Sequence, residues 1–158
     1  MIAVATRATR SAEDLARTAS ATVIGSLTIQ ARPEMVGAAR SFVAKAFGQA
    51  DPATDVAVLL SSEIVTNAVL HSNSRRPGGT VTISAVELGG GVRIEVTDEG
   101  SERSLPEVKR HGCVSGGHGL LLVQTLADRW GYLRDEFGTT VWFWLVRGRG
   151  YDSRDLPG

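Results

Sequence analysis

The stretch from Ala53 to Ser72 contains neither glycine nor proline, and this feature most restricts how the chain can fold. Asp51 and Pro52 precede it and fit a helix N-cap followed by a first-turn proline. Together they predict the longest helix of the chain. A helix of this length must bury its apolar side against another element, so the strands predicted after it should form that surface.

The other elements are predicted from the periodicity of apolar residues. They are, in chain order, a strand over 22–30, a helix over 33–48, a hairpin over 80–96 that turns at Gly89-Gly90-Gly91, a glycine- and charge-rich loop over 99–117, a helix over 118–129, and strands over 130–135 and 139–146. The expected fold class is α+β, a two-layer α/β sandwich with a mixed, mainly antiparallel sheet and helices on one face. The last strand is apolar on both faces, with Trp142 and Trp144 on one of them, so it is either a central strand or a strand whose outer face serves a partner.

Composition excludes several classes of function. Lys plus Arg and Asp plus Glu both number 17, so the chain has no basic field for a nucleic-acid backbone, and no direct nucleic-acid partner is expected. The single cysteine, Cys113, excludes an internal disulfide, and the histidines show no zinc-ligand spacing. No apolar run is long enough for a membrane span, and the first residues lack the apolar core of a secretory signal. The expected location is therefore a reducing cytoplasm, with no membrane partner.

One domain should account for most of the chain, because 158 residues is close to the length of a single domain. Residues 1–20 are interpreted as a polar, alanine-rich extension with little to bury, either capped as a short helix or partly disordered. Residues 21–148 form the predicted domain, and residues 149–158 form a C-terminal tail.

Three polar residues stand out in the long helix. Glu63, Asn67 and His71 recur at four-residue steps and therefore share one face. They interrupt an apolar stripe that should face the sheet, where an unpartnered carboxylate or amide is costly. A polar or charged partner should therefore meet them. The residues alone leave two interpretations open, a hydrogen-bonded polar patch at the helix end and a functional site.

Two further motifs lie at the ends of predicted elements. Asp98 ends the core-facing row of its strand and precedes Glu99 and Gly100; alone, it is either a turn-forming acid or a buried acceptor. A glycine cluster over 115–119 opens onto the helix that begins near His118, where backbone amides can hold an anion. It lacks the Gly-Lys-Ser or Gly-Lys-Thr of a P-loop and the βαβ setting of a dinucleotide fingerprint. On its own it fits a flexible turn equally well.

The order and spacing of these motifs resemble the histidine-kinase-like ATPase superfamily, which includes gyrase, the ninety-kilodalton chaperone and sensor kinases. The resemblance covers residues 25–146 and is greatest to small, stand-alone anti-sigma-factor serine kinases and ATP-binding regulators of actinobacteria. It is carried by S-E-I-V-T-N-A-V-L-H at 62–71, D-E-G at 98–100, G-G-H-G-L at 116–120, A-D-R-W-G at 127–131 and G-T-T-V-W at 138–142. The resemblance implies a Bergerat-type ATP-binding fold.

The resemblance also implies a role for each matching residue. Glu63 would be the general base of phosphoryl transfer, and Asn67 would hold Mg²⁺ through its side-chain oxygen. Asp98 would accept a hydrogen bond from the adenine amino group, with the Thr140 hydroxyl beside it. His71 is expected to be structural. The remaining implied nucleotide contacts, with the glycine amides directed at the phosphates, are Gly100, Gly116, Gly117, His118, Gly119 and Leu120.

The implied function is an ATP- and Mg²⁺-dependent regulator that binds a sigma factor and phosphorylates a serine on an anti-anti-sigma antagonist, with a second copy of the chain as an optional partner. Two departures from the family pattern keep an alternative open. Ser101 and Glu102 follow Gly100 where a second glycine is common, and His118 stands where arginine is common.

A histidine cannot grip a phosphate as a guanidinium does. The alternative is therefore an ATP-binding partner module that phosphorylates nothing. The detached catalytic domain of a sensor histidine kinase is disfavoured, because no helical hairpin with a phospho-accepting histidine precedes the predicted domain.

Overall fold

The computed structural model describes residues 3–6, 20–100, 119–152 and 154. The helices and strands within these ranges are, in chain order, β1 (Ala3–Thr6), β2 (Thr22–Gln30), α1 (Val36–Phe47), α2 (Thr54–His71), β3 (Thr80–Leu88), β4 (Gly91–Asp98), α3 (Gly119–Leu126), β5 (Arg129–Arg134) and β6 (Thr139–Val146), with 3₁₀ turns at Pro33–Met35 and Asn73–Arg75. Within the described ranges, none of the helices combines the length and apolar character that a membrane span requires.

The strands form one sheet in the order β1-β5-β6-β4-β3-β2. Each pairing between neighbours is antiparallel, so the expected α+β sandwich is confirmed, while the described sheet is antiparallel rather than mixed. β6 lies between β4 and β5, which confirms the prediction of a central strand.

The core lies between one face of this sheet and the helices. Ala85, Ile94 and Phe143 occupy one register row across β3, β4 and β6, and all three are fully buried. Val43 of α1 and Leu60 of α2 are buried in the same core. Each large side chain buried in this way contributes roughly 1.5–3 kcal/mol, so the packing of α1 and α2 on the sheet supplies much of the stability of the fold.

Two boundaries differ from the sequence prediction. The sequence predicts an extension over residues 1–20, but Ala3–Thr6 pair with β5 at the edge of the sheet. The helix predicted over 118–129 ends at Leu126, because Asp128 bonds to β6 instead of continuing the helix: its amide donates to the Trp144 carbonyl at 3.2 Å, and its Oδ2 accepts from the Val146 amide at 2.9 Å. The predicted loop, beyond Glu99 and Gly100, lies outside the described residues.

The first residues of the predicted C-terminal tail are bonded to the domain. Arg149 forms an ion pair with Asp128, and the Tyr151 hydroxyl lies 3.5 Å from the same carboxylate. Burial, together with the Asp128 charge, raises the pKa of Tyr151 to about 12. The packed unit therefore extends past residue 148 to Tyr151.

Candidate functional site

Along α2, one row of side chains changes from apolar to polar. At three- and four-residue steps the row contains Val56, Leu60, Glu63, Asn67 and His71. The first two are buried, Glu63 and Asn67 are half-buried, and His71 is exposed. In the part of the chain that the structure describes, none of the three polar side chains has a hydrogen-bond or ion-pair partner. The row therefore ends in polar groups at an open rim of the core.

A serine pair ends the helix directly after this row. The Ser72 hydroxyl donates to the Ala68 carbonyl at 2.6 Å and accepts from the Ser74 amide at 3.0 Å. Such local side-chain bonds compete with helical ones, so the backbone leaves α2 at Ser72 and enters the 3₁₀ turn. Ser74 is fully buried, which holds that turn against the rest of the domain.

The turn after β4 is bonded to this end of α2. The Glu99 amide donates to the Ser74 hydroxyl at 2.8 Å, and the Asn73 amide donates to the Gly100 carbonyl at 2.7 Å. Residues far apart in the sequence thus bring together two of the predicted motifs, the polar row of α2 and Asp98-Glu99-Gly100.

Asp98 both forms the turn and retains acceptor capacity. It ends the core-facing row of β4, as predicted, and its Oδ1 accepts from the Gly100 amide at 2.6 Å. Gly100 has a φ of 78°, in the left-handed region that favours glycine. Burial raises the pKa of Asp98 above its ordinary value, although the amides of Gly100 and Thr139 and the Arg134 charge act in the opposite direction. A carboxylate offers about four acceptor positions, so this half-buried acid can accept a further donor.

Gly138 allows the β5–β6 turn to approach Asp98. A Cβ at Gly138 would lie 1.9 Å from the Asp98 carbonyl oxygen, far inside the contact distance of two heavy atoms. The turn is shaped by Asp135, whose Oδ1 accepts from the amides of Phe137 at 2.8 Å and Gly138 at 3.1 Å. Only glycine fits where the two turns meet.

The threonine beside Asp98 is Thr139, so the prediction for Thr140 is wrong. The register of β4 and β6 pairs Asp98 with Thr139 and Thr97 with Thr140. Thr139 is buried on the helix-bearing face. Thr140 lies on the opposite face, where its hydroxyl is 2.8 Å from that of Thr97. A shift of one residue reverses the face in a strand, and the G-T-T motif alone does not decide between the two.

Arg134 is a further residue of this end of the sheet that the sequence analysis missed. It pairs with Thr139, so Arg134, Thr139 and Asp98 form one row across β5, β6 and β4. The guanidinium favours the ionised form of Asp98. The alternation of Trp130, Tyr132 and Arg134 along β5 was the available signal, because it places all three on the core-facing side.

The structure places only part of the glycine motif. Gly116, Gly117 and His118 lie outside the described residues. Gly119 begins α3, which packs against α2, and Leu120 is buried in the core. The anion-binding role of this motif stays a prediction.

A family model described as the histidine kinase-like ATPase domain matches residues 29–145. Because this match spans most of the chain, the chain belongs to that family. Membership of an ATPase family implies ATP binding.

Individual relatives match over shorter stretches. The anti-sigma F factor of Geobacillus stearothermophilus is 40% identical over 77 residues, which are 47% of this chain and 53% of the relative. The anti-sigma F factor of Geobacillus kaustophilus (strain HTA426) is 39% identical over 77 residues, with the same coverage. The chain therefore spans about half the length of the curated relatives it matches.

Among solved structures, the crystal structure of the RsbU and RsbW domains of Rv1364c from Mycobacterium tuberculosis aligns with a TM-score of 0.59 at 21% sequence identity. The alignment covers 79% of this chain and 33% of that chain. At this identity the similarity establishes the fold.

Proposed function

We propose that this member of the histidine kinase-like ATPase family binds ATP beside Asp98 and acts as an anti-sigma factor that phosphorylates a serine on an anti-anti-sigma antagonist. The observation that carries the proposal is the hydrogen-bonded junction between the Asp98 turn and the end of α2 that bears Glu63 and Asn67. The anti-sigma F factors among the relatives support the regulatory part. A sigma-factor partner would place the protein in the cytoplasm.

Adenine would be recognised at the Asp98 row. The carboxylate would accept a hydrogen bond from the adenine amino group, which is a donor of the kind that a half-buried acid with spare acceptor positions needs. Thr139, rather than Thr140, would supply the neighbouring hydroxyl, since its Oγ1 lies next to Gly100, 3.8 Å from the position a Cβ there would take. The absence of a Cβ at Gly100 would leave room for the base.

Asn67 fits an Mg²⁺ ion that arrives with the nucleotide. Its amide oxygen is a hard ligand, half-buried and without a side-chain partner in the described ranges. Those ranges hold no group of three or more His, Cys, Asp or Glu that could hold a metal ion. Mg²⁺ often takes one or two protein oxygens and completes its shell with phosphate and water, which matches this donor set. The ion would neutralise charge on the phosphates.

Glu63 lies one helical turn before Asn67 and would act on the nucleophile. Its carboxylate would take the proton of the serine hydroxyl as the serine oxygen bonds to the γ-phosphorus. The bond to the β–γ bridging oxygen would break, with ADP as the leaving group. The amides of Gly116, Gly117 and Gly119, with His118 between them, would hold the phosphates.

A kinase assay with radiolabelled ATP and a candidate antagonist tests this assignment. Glu63→Gln should lower phosphoryl transfer by about 10² or more, the usual size of a lost general base, while ATP affinity stays within a few fold. Glu34→Gln, an exposed glutamate before α1, is the matched control and should transfer phosphate like the parent. Equal rates for Glu63→Gln and the parent would remove Glu63 from the mechanism.

The second candidate function is an ATP-binding partner module without kinase activity, which His118 in place of arginine favours. It predicts that the parent binds ATP and a sigma factor but transfers no phosphate to an antagonist or to water. His118→Arg should then leave transfer absent. If the chain is instead a kinase with a weakened phosphate grip, the same variant should raise the rate.

A further inference from the structure

Three exposed arginines, Arg32, Arg75 and Arg76, lie at the end of the sheet where β2 ends and β3 begins. The Ala31 amide donates to the Gly79 carbonyl at 3.0 Å, and the Gly79 amide donates to the Arg76 carbonyl at 2.8 Å. The backbone next to Arg32 is therefore bonded to the turn that carries Arg75 and Arg76. These three arginines define the arginine corner.

The guanidinium groups of the corner are unpaired in the part of the chain that the structure describes. No hydrogen bond, ion pair or ring contact involves them there. Every other described arginine has at least one such interaction through its side chain. Those arginines are Arg40, Arg93, Arg129, Arg134, Arg147, Arg149 and Arg154. Within the described ranges, unpaired guanidinium groups are thus concentrated at one place.

These charges do not act as a cap for the end of α2. The Ala68 carbonyl accepts from the Ser72 hydroxyl at 2.6 Å, so a local side chain already satisfies it. Neither Arg75 nor Arg76 donates a side-chain hydrogen bond to any carbonyl of the described ranges. A role in ending the helix therefore does not explain the two arginines.

The corner retains positive charge after its acidic neighbours are considered. Glu34 lies in the 3₁₀ turn that follows Arg32, and Glu99 is close to the corner because its amide donates to the Ser74 hydroxyl at 2.8 Å. Among the described residues, neither carboxylate is ion-paired with a corner arginine. Like charges on neighbouring residues repel, and an acidic ligand would relieve that repulsion.

The backbone that carries Arg75 and Arg76 is held in a fixed position. The Arg76 amide donates to the Asn73 carbonyl at 3.1 Å. Gly79 lies so close to this turn that a Cβ there would be 1.7 Å from the Ser74 carbonyl oxygen. A binding surface with a fixed backbone loses less conformational entropy when a ligand binds. The turn is therefore suited to recognition.

The corner adjoins the candidate ATP site. The Asn73 amide donates to the Gly100 carbonyl at 2.7 Å, which bonds the turn of the corner to the Asp98 turn. The same turn directly follows α2, whose polar row ends in Asn67 and His71. A protein that lies on the corner is therefore also beside the open rim of α2.

We propose that the arginine corner is a docking site for an acidic segment of a partner protein. A guanidinium and a carboxylate can form two parallel hydrogen bonds, so Asp and Glu side chains satisfy the unpaired groups. Acidic and basic residues are equal in number in the chain, and a nucleic acid needs a more extended basic surface. The inference requires neither ATP binding nor phosphoryl transfer.

Fluorescence anisotropy of labelled poly-L-glutamate, added to the full chain at low ionic strength, tests the proposal. Arg75→Gln/Arg76→Gln should weaken binding by at least about fivefold, because two ion pairs are lost. Lys45→Gln/Arg154→Gln removes the same charge from exposed positions outside the corner and should bind within about twofold of the parent. Equal weakening by the two double variants, or no binding by the parent, would contradict the proposal.

Amide chemical shifts locate the contact without any substitution. When poly-L-glutamate is added to the ¹⁵N-labelled parent, the amides of Arg32 and of residues 73–79 should shift, and those in the last turn of α1 should not. Shifts confined to other parts of the chain would overturn the proposal. Urea denaturation verifies that both double variants are folded, and if Arg75→Gln/Arg76→Gln is not, the chemical shifts decide.

Other anionic partners are tested in competition with the labelled poly-L-glutamate. Duplex DNA and phosphatidylserine vesicles, added at equal concentrations of negative charge, should displace it less effectively than unlabelled poly-L-glutamate does. More effective displacement by DNA or by vesicles, together with loss of their binding in Arg75→Gln/Arg76→Gln, would assign the corner to phosphate groups and contradict the proposal.

Discussion

The two ends of the sheet each hold a half-buried aspartate at a turn, and their surroundings differ. Asp51 accepts from the Ala53 amide at 2.9 Å and the Gly148 amide at 3.1 Å, and Arg147 lies 3.4 Å from its other oxygen. Burial acts to raise its pKa, but these donors outweigh burial and hold the pKa of Asp51 below its ordinary value. At Asp98 burial prevails and the pKa is raised.

This difference indicates that Asp51 stabilises the fold, whereas Asp98 can accept a hydrogen bond from a ligand. The Arg147 guanidinium also donates to the carbonyls of Phe47 at 2.6 Å and Ala46 at 3.2 Å, at the end of α1. The Asp51 end is thus compensated by protein groups. At the Asp98 end the compensation is incomplete, which is the condition under which a bound donor gains most.

The largest effect on stability should come from adding a side chain at Gly138, where the β5–β6 turn meets the turn of Asp98. Gly138→Ala would place a Cβ 1.9 Å from the Asp98 carbonyl oxygen, so the two turns must separate, at a cost of about 3 kcal/mol or more in the free energy of unfolding. Urea denaturation measures this. Gly37→Ala in α1, where a Cβ would meet nothing within 4 Å, is the matched control and should stabilise by up to about 1 kcal/mol. Equal stabilities would contradict the close approach.

The next largest effect should be a difference in stability between the variants Asp51→Asn and Asp98→Asn. Asp51→Asn removes the charge that pairs with Arg147 and should lower the free energy of unfolding by about 1–2 kcal/mol near neutral pH. Asp98→Asn keeps the acceptor for the Gly100 amide and removes an incompletely compensated charge, so it should be neutral or slightly stabilising. Urea denaturation of the parent and the two variants measures these changes. A larger loss of stability for Asp98→Asn than for Asp51→Asn would contradict the roles assigned to the two acids.

The pH dependence sharpens this test. Because the folded pKa of Asp51 is lowered, its stabilisation is present above the unfolded value of 3.8 and is lost as pH falls through the folded pKa. Because the folded pKa of Asp98 is raised, its charge is unfavourable above that pKa, and the penalty disappears as pH falls to the unfolded value. The stability difference between the two variants should therefore narrow on acidification. If the difference in unfolding free energy between the two variants did not change with pH, the direction of at least one of the two pKa shifts would be wrong.

Much of the fold was predictable because its signals are local. The long helix needed only the absence of glycine and proline over 53–72. The predicted cap is wrong: the helix begins at Thr54 with Ala53 as its N-cap, and Asp51 instead accepts from the Ala53 amide in the turn before it. β1 was missed because four residues carry little periodicity and their partner, β5, lies more than a hundred residues later. Strand order and edge pairing depend on such distant contacts.

Site residues were predictable where the residue type alone determines the chemistry. They were not predictable where the pairing register of two strands determines which residue faces the site. Asp98 was found because its parity along β4 marks the core-facing side. Thr139 and Thr140 are chemically identical neighbours, and only the pairing of β6 with β4 determines which one faces Asp98. Arg134 joins the row through a second pairing, with β5.

A smaller effect should distinguish the two threonines. Thr139→Val should weaken ATP binding by about fivefold, the size of one lost hydrogen bond of about 1 kcal/mol. Thr140→Val, on the opposite face, should leave the affinity unchanged. Isothermal titration calorimetry with both variants measures the difference. Weaker ATP binding by Thr140→Val, with unchanged binding by Thr139→Val, would contradict the β4–β6 register that places Thr139 beside Asp98.

The most direct test of the comparison is calorimetric titration of ATP, with Mg²⁺, into the parent, Asp98→Asn and Asp51→Asn. If the incompletely compensated acid recognises the base, Asp98→Asn should weaken binding by at least about tenfold, or about 1.4 kcal/mol, as expected for a lost charge-assisted hydrogen bond in a buried pocket. Asp51→Asn, although less stable, should bind within about twofold of the parent where it is folded. Equal affinities for Asp98→Asn and the parent would contradict the assignment of this end of the sheet as the ATP site.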